Sequence, residues 1–137
     1  MPSIRRVLET ALYCDDLPAT ARFYREVLGL TVHFGDARLV ALDASGATVL
    51  LLFARGASSS GVSFPGGSIP GHDGSGPAHV AFAVDADDLD GWESRLTAAG
   101  VAIESRVRWE RGGRSIYFRD PEGHSVELVT PGVWPTY

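Results

Sequence analysis

Lysine is absent from this chain: all 12 basic residues are arginine. That excludes Schiff-base chemistry and any lysine nucleophile. Cysteine occurs once, as Cys14, which excludes an internal disulfide framework and a cysteine-rich zinc site. No apolar run approaches membrane-spanning length and no signal-peptide pattern opens the chain. A soluble, cytoplasmic protein with no membrane partner is therefore expected. Positive charge is scarce overall. The net charge of −5 argues against nucleic acid as a partner, because such proteins need a basic surface. What is present is ordinary for one globular domain spanning 1–137, with 45% hydrophobic residues and length enough for a real core.

The chain is organised as two halves on one plan. Residues 7–14 read as a strand, after which Asp16-Leu-Pro has the chemistry of a helix start, Asp as N-cap and Pro in the first turn. Leu17, Ala21, Tyr24 and Leu28 recur at helical spacing, and Gly29 suits the residue that ends a helix. Strands are expected at about 30–34, 37–42 and 47–53. In the second half Ala78–Val84 is a strand, Asp87 or Asp88 caps a helix carrying Leu89, Trp92, Leu96 and Ala99, and Gly100 ends it. Strands follow at about 101–108, 114–119 and 124–130. The expected class is α+β, a βαβββ module written twice, over 5–53 and 77–130. Between them, 54–76 is rich in Gly and Ser and too long for a routine connection, so it is a functional loop or a flexible linker. Phe64 and Ile69 within it are candidates to close over a cavity.

Alternation sorts the strand faces. Leu8, Leu12 and Cys14, with Val80, Phe82 and Val84, form the face expected to pack on the helices, which makes Cys14 a small buried hydrophobe. The opposite face reads Glu9, Ala11, Tyr13 and His79, Ala81, Ala83: small residues beside ionisable ones, leaving a hollow. In the stretch 114–127 a strand, the turn Asp120-Pro-Glu-Gly and a second strand place Glu127 mid-strand among apolar neighbours. A carboxylate there needs a partner. Aligning the halves pairs Glu9 with His79 and Leu50 with Glu127, so Glu9, His79 and Glu127 occupy matching positions on one face. One imidazole and two carboxylates suit Mn, Fe, Ni or Zn, with Mg also admissible, and three ligands leave room for substrate. A buried His79–Glu127 hydrogen-bonded pair with Glu9 solvated explains the same pattern without metal.

The repeated plan, Phe23-Tyr-Arg-Glu-Val-Leu-Gly-Leu30 at the first helix end and Asp120-Pro-Glu-Gly-His-Ser-Val-Glu-Leu128 together resemble the vicinal oxygen chelate superfamily. That superfamily includes glyoxalase I, fosfomycin-resistance thiol transferases, extradiol dioxygenases and bleomycin-resistance proteins. The resemblance covers roughly 5 to 130. It implies a cup-shaped mixed sheet around one divalent ion, often assembled across a dimer, with ligand positions at Glu9, Leu50, His79 and Glu127. The local match is strongest to the fosfomycin thiol transferases, whose Ser-x-Tyr-Phe-x-Asp-Pro stretch corresponds to 115–121 and which use three ligands. Glu9 stands where that group has His, Ala11 where it has Thr, and the 129–137 tail is not basic. These departures count against fosfomycin as substrate. Glyoxalase I requires a fourth ligand where Leu50 stands, and extradiol dioxygenases require a second His where Glu9 stands.

The expected activity is that of a metal-dependent lyase, thiol transferase, isomerase or dioxygenase acting on a small molecule that chelates through neighbouring oxygens. The ion would act as Lewis acid, Glu9 or Glu127 as general base, and Tyr117 as proton donor or orienting group. Tyr13, Ser115 and Arg119 are expected to contact substrate. The alternative is a metal-free binding protein of the bleomycin-resistance type, holding a flat ligand between Tyr13, Phe64 and Trp109. A homodimer is expected in either case, because each module leaves sheet edges to cover. Arg106, Arg108, Arg111 and Arg114 read as a solvated hairpin edge, His124 as a structural hydrogen-bonding group, and His33 and His72 as loop surface. Trp134 and Tyr137 either cap a cavity or seam or fray with the tail.

Overall fold

The structure, a computed structural model, describes all of residues 1–137. It comprises two compact units, Met1–Ser75 and Gly76–Tyr137, and each is a βαβββ module.

In the first unit β1 (Glu9–Cys14) leads to α1 (Leu17–Glu26), then β2 (Thr31–Gly35), β3 (Leu39–Ala44) and β4 (Thr48–Ala54). The sheet order is β1-β4-β3-β2, with β1 and β4 parallel and the other pairs antiparallel. Helix α1 starts where expected: Asp16 Oδ1 accepts from Ala19 N–H at 3.1 Å, and Pro18 lies in the first turn. It ends at Gly29, whose φ of 75° lets Leu30 N–H reach back to the Tyr24 carbonyl. Leu17 and Tyr24 are buried from this helix, Leu28 from the turn that follows it, and Leu12, Cys14, Leu42, Leu50 and Leu52 from the sheet. Cys14 is fully buried, as a small hydrophobe should be. Leu8 departs from expectation. It precedes the first strand and is 56% exposed.

The 54–76 segment is built rather than slack. It carries a short hairpin of β5 (Val62–Phe64) and β6 (Gly67–Ile69), and it is tied to itself and to β1. Asp73 Oδ1 accepts from Gly56 N–H at 3.0 Å and Ser58 C=O from His72 N–H at 3.0 Å. Gly74 passes so near Tyr13 that an added Cβ would lie 2.5 Å from its ring.

The second unit repeats the order as β7 (His79–Ala83), α2 (Leu89–Ala98), β8 (Ser105–Arg108), β9 (Arg114–Arg119) and β10 (Ser125–Val129), in a sheet β7-β10-β9-β8. Helix α2 is not capped by an Asp side chain. It is entered through a single 3-10 turn, Ala86–Asp88, so Asp88 is already helical (φ −90°, ψ −12°) and its side chain is not placed to cap. The first strand after the helix begins at Ser105 rather than near 101. Val80, Phe82 and Val84 are only half-buried in their unit, because β7 is an edge strand with one neighbour.

The two registers correct one alignment of the halves. Val49 N–H donates to Leu8 C=O and Ser125 N–H to Ala78 C=O, both at 2.8 Å, so Glu9 does match His79. Ala11 then faces Leu51 across the ladder while Ala81 faces Glu127. The counterpart of Glu127 is therefore Leu51, and Leu50 matches Val126 on the buried, helix-facing side. The fourth position remains one that cannot ligate.

Candidate functional site

Glu127 is 8% exposed and lies on β10 opposite Tyr117 of β9. Its Oε1 accepts from Ser115 Oγ at 2.6 Å and from the Tyr117 hydroxyl at 2.8 Å. Trp109 Nε1 donates in turn to Ser115 Oγ at 2.8 Å. These donors saturate one carboxylate oxygen and orient the other. Oε2 lies 3.3 Å from His79 Nε2. His79 Nδ1 is 3.0 Å from the Ser125 carbonyl, which can only accept, so Nδ1 carries the proton. That leaves Nε2 and Oε2 facing each other as two acceptors unless a cation or a second proton lies between them. An ion with bonds of about 2.1 Å to two ligands at right angles holds those atoms roughly 3 Å apart. A backbone carbonyl behind the far ring nitrogen is also the usual support of a ligating histidine. The residues therefore fit a divalent ion, and within this unit no third His, Cys, Asp or Glu joins the pair. Burial, then the bond to Glu127, pushes the Tyr117 phenol above its ordinary pKa, so it remains a donor at neutral pH.

In the first unit Glu9 lines a cavity of about 480 Å³ on the open face of its sheet. Ala11, Leu39, Leu51, Phe53 and Ile69 supply apolar wall, and Arg38, Tyr13 and His72 the polar groups. The Tyr13 ring stacks on Phe53 with centroids 5.8 Å apart, and His72 meets Phe53 edge-on at 4.5 Å. Tyr13 Oη and His72 Nδ1 are 2.6 Å apart. Burial, reinforced by Asp73, pushes the Tyr13 phenol upward, so it stays protonated and donates to His72.

Of the expected site residues, His79, Glu127, Ser115 and Tyr117 are brought together in the second unit, while Glu9 and Tyr13 share the cavity of the first. Arg119 is engaged elsewhere: its guanidinium forms a two-point pair with Glu104 at 2.7 and 3.2 Å and donates to Gly123 C=O. His72 is not loop surface but cavity wall, because the Gly-rich segment folds back onto Tyr13. His124 is a buried structural group, 2.7 Å from Asp120 Oδ2. Tyr137 donates to Val84 C=O at 3.0 Å, which anchors the tail end, while Trp134 remains exposed. Phe53 was within reach of the alternation that singled out Tyr13, since it stands directly across the ladder. Arg38 lies outside the regular strands and carries no such signal.

Two βαβββ modules, each with its first strand parallel to its last, define a recognisable fold class. Residues 6–128 match the Glyoxalase/Bleomycin resistance protein/Dioxygenase superfamily, and the chain belongs to it. It is 32% identical over 117 residues to glutathione transferase FosA of Serratia marcescens, covering 85% of this chain and 74% of that protein. It is 44% identical to metallothiol transferase FosB of Bacillus licheniformis over 57 residues, which span 41% of this chain and only 37% of that relative. A structure described as lactoylglutathione lyase from Agrobacterium tumefaciens superposes with a TM-score of 0.89 at 36% identity, covering 98% of this chain and 99% of that one. No helix is long and apolar enough to cross a membrane.

Proposed function

We propose that this chain is a divalent-metal-dependent enzyme acting on a small molecule that chelates through neighbouring oxygens, with Glu9, His79 and Glu127 as the protein ligands. The observation that carries the reading is the His79–Glu127 pair, whose two acceptor atoms face each other at 3.3 Å with their outer atoms already hydrogen-bonded. Glu9 is proposed as third ligand because it holds the position in the first module that His79 holds in the second. The ion, one of Mn, Fe, Ni or Zn, would supply Lewis-acid polarisation of a substrate oxygen. Relatives that transfer thiols or act as a lyase support a reaction of that range.

The roles of the side chains follow from their partners. Glu127 is held by two hydroxyls and serves as a fixed ligand. Glu9 has no such hydroxyls on it and is the carboxylate free to take a proton. Tyr117 keeps its proton and orients or protonates substrate. A homodimer is part of the proposal: β1 and β7 are both edge strands, and Ile4, Val7 and Leu8 stand exposed just ahead of β1 in the chain. Titration of metal-free protein with Mn(II), Ni(II) and Zn(II) should give one ion per chain, weakened roughly 100-fold in Glu127→Gln and in His79→Ala. Unchanged affinity in both variants would falsify the assignment. The aromatic cavity favours a second reading, a metal-free binding protein, which forecasts no ion under any of these conditions.

A further inference from the structure

The cavity of the first unit has two chemically different ends. On the ladder Tyr13 faces Phe53, which faces Leu39, so Arg38 lies level with the end of β1 that is far from Glu9. Glu9 and Tyr13 are four steps apart along the strand, roughly 13 Å at the usual rise. Between the ends lie Leu51, Phe53 and the Tyr13 ring, with the Tyr13 hydroxyl already given to His72.

Arg38 and Glu9 are the two charged residues of the lining. The Arg38 guanidinium sits 5.8 Å over the Phe53 ring and donates to Ser58 Oγ at 2.9 Å. No carboxylate lies within ion-pair distance of it, although Asp36 attracts it from further off; Arg55, Arg106 and Arg119 by contrast are paired with carboxylates at 2.7 to 2.9 Å. A half-buried guanidinium with most of its donors unspent, held over an aromatic ring, is a receptor for a planar oxyanion. Glu9 would repel an anion at its own end, so the acid group and the oxygens near Glu9 must be at opposite ends of a bound molecule.

We infer that this cavity takes a small organic acid with a flat apolar body, its oxyanion on Arg38 and its body against Phe53 and Leu51. The inference rests on the proposed role of Glu9 as a metal ligand, and names the class of substrate. Arg38 is then the residue that selects for charge, and Phe53 the one that selects for a ring.

The test is calorimetric titration of the metal-free protein with four probes: benzoate, phenylphosphonate, neutral benzamide and acetate. Benzoate or phenylphosphonate should bind about tenfold or more tightly than benzamide and than acetate, and Arg38→Gln should bring the acid down to the level of the amide. Arg38→Lys, which retains charge but not the planar fork, should keep part of the preference. Preference for benzoate assigns a carboxylate and preference for phenylphosphonate a phosphonate, and both support the proposal. It is overturned by equal binding of benzoate and benzamide to the unmodified protein, by no binding of either acid, or by a preference that survives Arg38→Gln. Metal titration separates this from the metal assignment. Arg38→Gln should retain Ni(II), whereas His79→Ala should weaken Ni(II) binding about 100-fold and retain the preference for acid.

Discussion

The two modules share a backbone plan and one face, and differ on the other. On the helix-facing side Leu42 and Leu50 in the first correspond to Phe118 and Val126 in the second, and all four are buried. On the open side Leu39, Ala41 and Leu51 correspond to Ser115, Tyr117 and Glu127. The same three ladder positions are a hydrocarbon wall in one unit and a hydroxyl-carboxylate network in the other. Strand pairing and the helix-facing core keep the fold whichever is present, so the open face is free to specialise. One module carries a cavity there and the other a hydroxyl–carboxylate network.

The strongest challenge to that division is at the shared face. Phe118→Ala should cost about 3–5 kcal/mol and Leu42→Ala about 2–5 kcal/mol in denaturant unfolding, since both side chains are fully buried and leave cavities. A loss below about 1 kcal/mol at either position would mean that it is not a core position, and the claimed equivalence of the two faces would fail.

The open face can be challenged by making the first module resemble the second. Leu51→Glu places a carboxylate where Glu127 has its counterpart, but Leu39 and Ala41 offer no hydroxyls. It should destabilise by about 1–3 kcal/mol as an unsatisfied acceptor. Adding Ala41→Tyr should recover about 0.5–1.5 kcal/mol through the bond that Tyr117 makes in the other unit. If the single change is neutral, the cavity is wet enough to solvate a carboxylate, and the contrast between the modules is weaker than the side chains suggest.

Much of this contrast was legible in the chain. Both helices, their glycine stops and the strands came from periodicity and turn chemistry, because each signal is local. Alternation put Tyr117 and Glu127 on one side of their sheet, and geometry then joined them. The errors arose where the register or the approach of distant segments decides. Leu50 in place of Leu51 is a one-residue slip, which moves a side chain to the opposite face. His72 read as surface because nothing within the Gly-rich segment reveals that it packs on Tyr13, 59 residues earlier. Arg119 had the right parity and the wrong partner, since Glu104 lies on another part of its hairpin and takes the guanidinium.

The smallest expected effect is the most discriminating, because it tests the network and not the fold. Ser115→Ala removes one of the two hydroxyls on Glu127 Oε1 and leaves Trp109 Nε1 without its acceptor. Tyr117→Phe removes the other hydroxyl but orphans nothing further. If the hydroxyls only fill space, both variants should behave alike and metal affinity should not move. If they orient Glu127, each should weaken metal binding about tenfold while costing only about 1 kcal/mol of stability. Ser115→Ala should then be the more costly of the two in unfolding, by the lost Trp109 bond. Metal affinity and stability therefore separate the orienting role from packing, and they do so in the module whose ladder positions carry hydroxyls on a carboxylate.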